Sequence, residues 1–298
     1  MKSEQKALEL HRAAHGKVRM SLTIPIQTRE DLSLTYTPGV AVPARAIADD
    51  QEKIWELTGR GNRVAIVTDG SAVLGLGNIG PEAALPVMEG KAALFKEFAN
   101  IDAFPLCVDT HDTDTIIQTV KALAPSFGGI NLEDISAPRC FEIEEILKQE
   151  LDIPVFHDDQ HGTAIVVLAG LMNALRVTKR CHGEPFDSSH HEQCHGERSR
   201  TMALRAQDRL HRTMTPSPSL DSARDDTKIV ISGAGAAGTA ITRLLLSQGF
   251  RNILICDRAG IINRKRDDLN SAAKTFLAAA TNPENAEGSL AEIGRAHV

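Results

Sequence analysis

A chain of 298 residues with a formal net charge of −6 has room for about two domains with sizeable cores, and its mild acidity argues against nucleic acid as the main partner. Hydrophobic residues make up 42% and charged residues 24%, an ordinary globular balance, and no apolar run approaches the roughly 20 residues that span a bilayer. The N-terminus, Met1 to Lys6, is charged and lacks the apolar core of a signal peptide. The cysteines (Cys107, Cys140, Cys181, Cys194 and Cys256) form no disulfide framework, so a cytoplasmic protein is expected.

An amphipathic helix opens the chain and ends near Gly16, followed by an extended stretch from Val18 to Ile26 and a turn forced by Pro38-Gly39. From there strands alternate with helices. Arg63 to Thr68 is a strand, and Pro81 to Phe98 a helix with proline in its first turn. Ala103 to Asp109 is a strand, Asp114 to Ala124 a helix, and Gly129 to Glu133 a strand. Glu142 to Gln149 is a helix, Ile153 to Phe156 a strand, and Thr163 to Val177 an apolar helix. Such alternation predicts an α/β fold with a mostly parallel sheet, in which ligands gather beyond the carboxyl ends of the strands.

Residues 181–226 change character. Cys-His-Gly-Glu occurs at Cys181–Glu184 and again at Cys194–Glu197, with His190-His191 between. Paired metal-ligand spacing is absent, and a disordered insertion resembling translated repeat DNA is the expectation. Beyond it, Lys228 to Ser232 reads as a strand, followed by Gly233-Ala234-Gly235-Ala236-Ala237-Gly238, an apolar helix, and a second strand, Asn252 to Cys256, that ends at Asp257. This is G-x-G-x-x-G between strand and helix with an acid roughly 20 residues on, the dinucleotide fingerprint. Gly233, Gly235, Ala236, Ala237 and Gly238 would cradle the pyrophosphate at a helix N-terminus. Asp257 would accept from the ribose of NAD, or Arg258 would accommodate the 2′-phosphate of NADP. A full Rossmann domain needs a second βαβαβ half, so residues 227–292 are expected to be only its first part. Residues 293–298 resemble translated sequencing adapter and are expected to be a non-native tail. The expected division is therefore 1–180, 181–226, 227–292 and 293–298.

In the first domain, Glu133-Asp134 follows one strand and Asp158-Asp159 another. Where a strand gives way to a loop, adjacent side chains can turn to one point, and carboxylates gathered there offer hard oxygen ligands to Mg²⁺ or Mn²⁺. Taken alone, Asp158-Asp159 reads first as a cap for the helix that follows. Gly75-Leu76-Gly77-Asn78-Ile79-Gly80 repeats the glycine pattern but stands away from a strand end, and reads as a tight backbone feature near the site. Lys91 and Lys96 share a helix, and periodicity does not choose between them. Tyr36 stands beside the Pro-Gly turn, where packing is its default role.

Ser33 to Val40, Thr68-Asp69-Gly70, Leu74 to Gly80, Pro86 to Lys91, Asn131 to Asp134 and Phe156 to Thr163, in this order, resemble malic enzyme of the short bacterial type. The resemblance covers about residues 1–180 and 227–292. It implies oxidative decarboxylation of (S)-malate to pyruvate and CO₂ with NAD or NADP and Mg²⁺ or Mn²⁺, in a homodimer. It implies Tyr36 as general acid, Lys91 as general base with a depressed pKa, and Glu133, Asp134 and Asp159 as metal ligands, with Asp158 orienting the loop. Larger members of that family carry Glu-Arg where this chain has Ser71-Ala72, so the partner of a substrate carboxylate is left unassigned. The family also builds part of its cleft from chain beyond residue 298, so impaired turnover is expected. The alternatives are a nucleotide- or metal-binding fragment without catalysis, and another two-domain dehydrogenase.

Overall fold

In the computed structural model, which describes residues 3–181 and 227–293, the apolar runs of the first half become β1 (Arg63–Thr68), β2 (Asp102–Cys107), β3 (Gly129–Leu132) and β4 (Val155–His157). They pair in parallel in the order β2–β1–β3–β4. Val67 stands opposite Leu132, and Leu132 opposite His157. The carboxyl ends of β1, β3 and β4 are therefore level, and the polar residues after each emerge along one edge.

Helices α1 (Ser3–Ala14), α2 (Arg29–Thr35), α3 (Ala41–Asp49) and α4 (Ile54–Leu57) precede the sheet. Its crossovers are α5 (Pro81–Ala99), α6 (Thr113–Leu123) and α7 (Arg139–Glu150). Ile66 on β1 packs with Met88 and Ala92 of α5 and Ala103 of β2. Ile116, Ile130, Leu132, Ile143 and Leu147 are likewise buried. Helix α8 (Asp158–Cys181) starts directly after β4.

The chain divides into two compact units, Met1–Asp159 and Gln160–Val298. In the second, β5 (Ile229–Ser232), α9 (Ala236–Ser247) and β6 (Ile253–Asp257) form a βαβ unit with parallel strands, Ser232 opposite Cys256. β7 (Gly260–Ile261) pairs antiparallel with β6, and α10 (Ala272–Ala280) and α11 (Leu290–Ile293) follow. Leu168, Leu245, Phe250 and Ile253 form one core cluster, and Ile255, Ile262, Leu277 and Ala278 another.

The expected α/β class with a parallel sheet is found, with differences at element ends. Residues 29–35, assigned to no element from the sequence, are helical, because Thr28 and Asp31 close a capping box at the start of α2. α7 begins at Arg139 rather than Glu142. α8 begins at Asp158, five residues before Thr163, so the acidic pair lies in its first turn. Residues 182–226 and 294–298, which hold most of the expected insertion and tail, lie outside the described residues. Among the described residues no helix is long and apolar enough to cross a membrane.

Candidate active site

Lys91 lies on α5, the helix whose Met88 and Ala92 are buried. Its Nζ lies 2.9 Å from Glu133 Oε1 and also donates to Asp158 Oδ2. Burial alone would lower the Lys91 pKa, but hydrogen bonds and charge from these two carboxylates outweigh it and raise the value. The depressed pKa expected from the sequence is thus not found here: Lys91 stands as an ammonium held by anions, not beside other cations.

Glu133 continues the β3 ladder, its N–H donating to Val67 O at 2.9 Å. Its Oε2 accepts from Asn131 Nδ2 at 2.9 Å. Burial pushes its pKa up to about 7, against the opposing pull of Asn131 and Lys91. Asp134 takes a left-handed φ of 53°, which ends the strand and turns the chain. Its N–H donates to Asp159 Oδ2 at 2.9 Å, and its C=O accepts from Ala72 N at 2.9 Å. Burial, then the negative charge of Asp159, pushes the Asp134 pKa up to about 6.

Glu133, Asp134, Asp158 and Asp159 are thus brought to one edge of the sheet with Lys91. Among the described residues, no three His, Cys, Asp or Glu side chains are gathered closely enough to enclose a metal ion in this conformation. The donor chemistry nevertheless suits a hard cation: these are carboxylates, and burial raises the pKa of two of them, Glu133 and Asp134.

Tyr36 is not brought into this cluster. It ends α2 and is 66% exposed, and no hydrogen bond or ion pair joins it to Lys91 or the carboxylates among the described residues. Lys96, the other lysine of α5, pairs with Asp102 at the surface.

A second polar group was not singled out by sequence reasoning. Asp69, just beyond β1, has no exposed surface. Its carboxylate accepts from Ser71 N (3.0 Å), Ser71 Oγ (2.6 Å), His111 Nδ1 (3.0 Å) and Arg139 Nη2 (2.8 Å). Burial acts to raise its pKa, but these donors prevail and hold it below the usual aspartate value. A polar residue directly after a strand was the available signal for Asp69. Arg139 carried none, because the helix it opens was expected to start later.

The glycine pattern after β1 is a tight loop, as expected. Val73 and Gly77 exchange backbone bonds of 3.0 and 2.8 Å. A Cβ on Gly70, at φ 67°, would lie 2.2 Å from Gly80 O, so only glycine lets the two loop ends touch.

In the second unit, Gly233 turns the chain at φ 116°, and a Cβ on Gly238 would come within 1.9 Å of Gly233 O. Strand and helix meet there only because position 238 lacks a side chain. No side chain caps α9 at Gly235, and Ala236 and Ala237 form its first turn, so its first N–H groups face outward. Asp257 is already engaged: Arg266 Nη1 and Nη2 lie 2.8 and 3.0 Å from its two oxygens, and Lys274 Nζ lies 2.9 Å away. Burial opposes these donors but does not overcome them, and the Asp257 pKa is strongly lowered. Arg258 is exposed and makes none of these contacts.

Residues 15–148 match the family model for the malic enzyme N-terminal domain. The chain is 51% identical over 278 residues to an NAD-dependent malic enzyme of Geobacillus stearothermophilus, covering 93% of this chain and 49% of that protein. It is 44% identical over 281 residues to an NADP-dependent malic enzyme of Rhizobium meliloti, covering 93% of this chain and 31% of that protein. The crystal structure of an NAD-dependent malic enzyme from Thermotoga maritima superposes with a TM-score of 0.79 at 46% identity, covering 95% of this chain and 64% of that one. The chain belongs to the malic enzyme family. It spans between about a third and two thirds of the length of these malic enzymes.

Proposed function

We propose that this chain carries the malate-handling part of a malic enzyme, which converts (S)-malate to pyruvate and CO₂ with reduction of NAD or NADP. The observation that carries the reading is the Lys91 ammonium held between Glu133 and Asp158 at the carboxyl edge of a parallel sheet. Ligands of such sheets collect at that edge.

Glu133, Asp134 and Asp159 are the residues that would hold Mg²⁺ or Mn²⁺. Such an ion would supply the positive charge that polarises malate's hydroxyl and neighbouring carboxylate. Lys91 is the group that takes the hydroxyl proton, and with two carboxylates at its Nζ it must first give up one of its own. Asp158, in direct contact with Nζ, orients the lysine and is the nearest acceptor for that proton. Tyr36 then delivers a proton to the enol carbon.

Gly233, Gly235, Ala236, Ala237 and Gly238 would receive a dinucleotide pyrophosphate, supported by the open α9 N-terminus and the close approach at Gly238. Residues 227–292 thereby act as the first part of a Rossmann domain. Met20, Leu22, Leu34 and Val42, all more than half exposed, suit a second copy of the chain, and a homodimer is the assembly proposed. The thiols of Cys107, Cys140 and Cys256 are free, which suits a cytoplasmic setting.

The test is formation of pyruvate from (S)-malate with Mn²⁺ and NAD⁺ or NADP⁺. Pyruvate formation that Lys91→Ala abolishes and Tyr36→Phe impairs supports the assignment. Dinucleotide and Mn²⁺ binding without any pyruvate would mark a binding fragment instead.

A further inference from the structure

The Asp69 network ends on a residue assigned to the cation. Arg139 is its hub: Nη2 reaches Asp69 Oδ2 (2.8 Å), Ser71 Oγ (3.0 Å) and Ser136 Oγ (3.0 Å), while Nη1 donates to His111 O at 2.7 Å. One guanidinium thus ties together the loops after β1, β2 and β3. Ser71 Oγ is the junction. It donates to Asp69 Oδ1 at 2.6 Å and accepts from Arg139 and from Ser136 N at 2.9 Å, so its bonding capacity is spent.

The loop that Ser71 anchors then grips Asp134. Ala72 N donates to Asp134 O at 2.9 Å. Ser136 N, two residues further along, is fixed by Ser71 itself. Asp134 is therefore clamped on both sides while its backbone sits at φ 53°, a conformation that persists where surroundings over-determine it. Arg139 and Asp69 touch neither Lys91 nor Glu133 among the described residues; their connection to the site runs through Ser71 to Asp134.

We propose that Arg139 is a positioning residue which, through Asp69 and Ser71, fixes the backbone turn that presents Asp134 to a divalent cation. The proposal rests on the reading of Glu133, Asp134 and Asp159 as cation ligands. It also gives Ser71 a role at the position where larger family members carry glutamate: a hydroxyl there is short enough for Arg139 to reach the loop.

The experiment is titration of the full chain with Mn²⁺, following loss of the free-ion electron paramagnetic resonance signal, with a melting curve for each variant. Asp134→Asn should abolish tight binding. Arg139→Met and Ser71→Ala should weaken it about ten- to a hundredfold, the range for residues that orient metal ligands. Arg139→Lys, which keeps a cation on Asp69, should recover part of the loss. Wild-type Mn²⁺ affinity in folded Arg139→Met and Ser71→Ala overturns the positioning role while Asp134→Asn still reports the ligand. If Arg139→Met does not melt cooperatively, Ser71→Ala decides in its place, since it removes only the junction oxygen. If the unaltered chain takes up no Mn²⁺, or Glu133→Gln and Asp134→Asn bind it unchanged, the ligand reading itself fails and the proposal goes with it.

Discussion

Lys91 Nζ and Glu133 Oε1 lie 2.9 Å apart, yet the Glu133 pKa is pushed up to about 7 because burial outweighs what the lysine returns. A carboxyl whose folded pKa exceeds its unfolded value binds more protons when folded. Its contribution to stability is fully present below the unfolded value of about 4.3 and is lost as pH rises through about 7. With metal removed by chelator, the unaltered chain should therefore lose stability relative to Glu133→Gln between these limits, on the order of 3 kcal/mol. Urea unfolding of both proteins at pH 5 and pH 8 measures it. A stability difference that does not change with pH would show that Glu133 is ionised throughout.

The same pairing sets a direction for cation binding. Lys91 carries positive charge against a carboxylate that the metal reading also needs, and like charges at about 4 Å repel by about 1 kcal/mol where water screens them. Lys91→Met should therefore tighten Mn²⁺ binding several-fold while abolishing pyruvate formation. Calorimetric titration gives the affinity. Weaker binding in the variant would mean that Lys91 supports the ligand set rather than competing with it.

How far these relationships were legible in the sequence depends on their range. β1 was read with its observed limits, because Arg63 to Thr68 is an apolar run closed by Asp-Gly. The acidic pairs were placed correctly at the ends of β3 and β4, because strand period and loop position are local properties. α2 was not assigned, although Thr28 and Asp31 carry a capping signal three residues apart. The bond between Asp69 and Arg139 spans 70 residues and exists only once the sheet order sets the loops after β1 and β3 side by side. The capture of Asp257 by Arg266 and Lys274 was hidden for a related reason. Arg258 is adjacent in sequence, but the end of the strand turns it outward, while loop and helix bring the later cations back.

That capture predicts a pH-dependent role for Asp257. Its folded pKa lies well below the unfolded value of about 3.9, so its contribution to stability is present above that value and is lost as pH falls below it. Asp257→Asn should destabilise the chain at pH 7 by about 2 kcal/mol, as expected for breaking charge-assisted bonds at a largely buried carboxylate. The deficit should shrink as pH falls below about 4. Thermal melts of both proteins from pH 7 to pH 3 follow it. A deficit that stays constant with pH would assign the loss to packing rather than to the ion pairs.

The fingerprint glycines should separate folding from ligand binding. A Cβ on Gly238 meets Gly233 O at 1.9 Å, and backbone cannot swing aside as a side chain can. Gly238→Ala should force α9 away from the β5 loop, costing about 1–3 kcal/mol as overpacking does, and should weaken dinucleotide binding as a consequence. Gly235 differs: nothing lies within 4 Å of a Cβ built there, and its φ of −83° suits any residue. Gly235→Ala should change stability by less than about 0.5 kcal/mol. Because the new methyl would occupy the space through which a pyrophosphate approaches the backbone, it should weaken NAD⁺ or NADP⁺ binding at least about tenfold, a cost of about 1.4 kcal/mol. Melting temperatures and dinucleotide titration for the two variants test this contrast. Unchanged dinucleotide affinity in Gly235→Ala would place the pyrophosphate elsewhere and leave these glycines a purely structural turn.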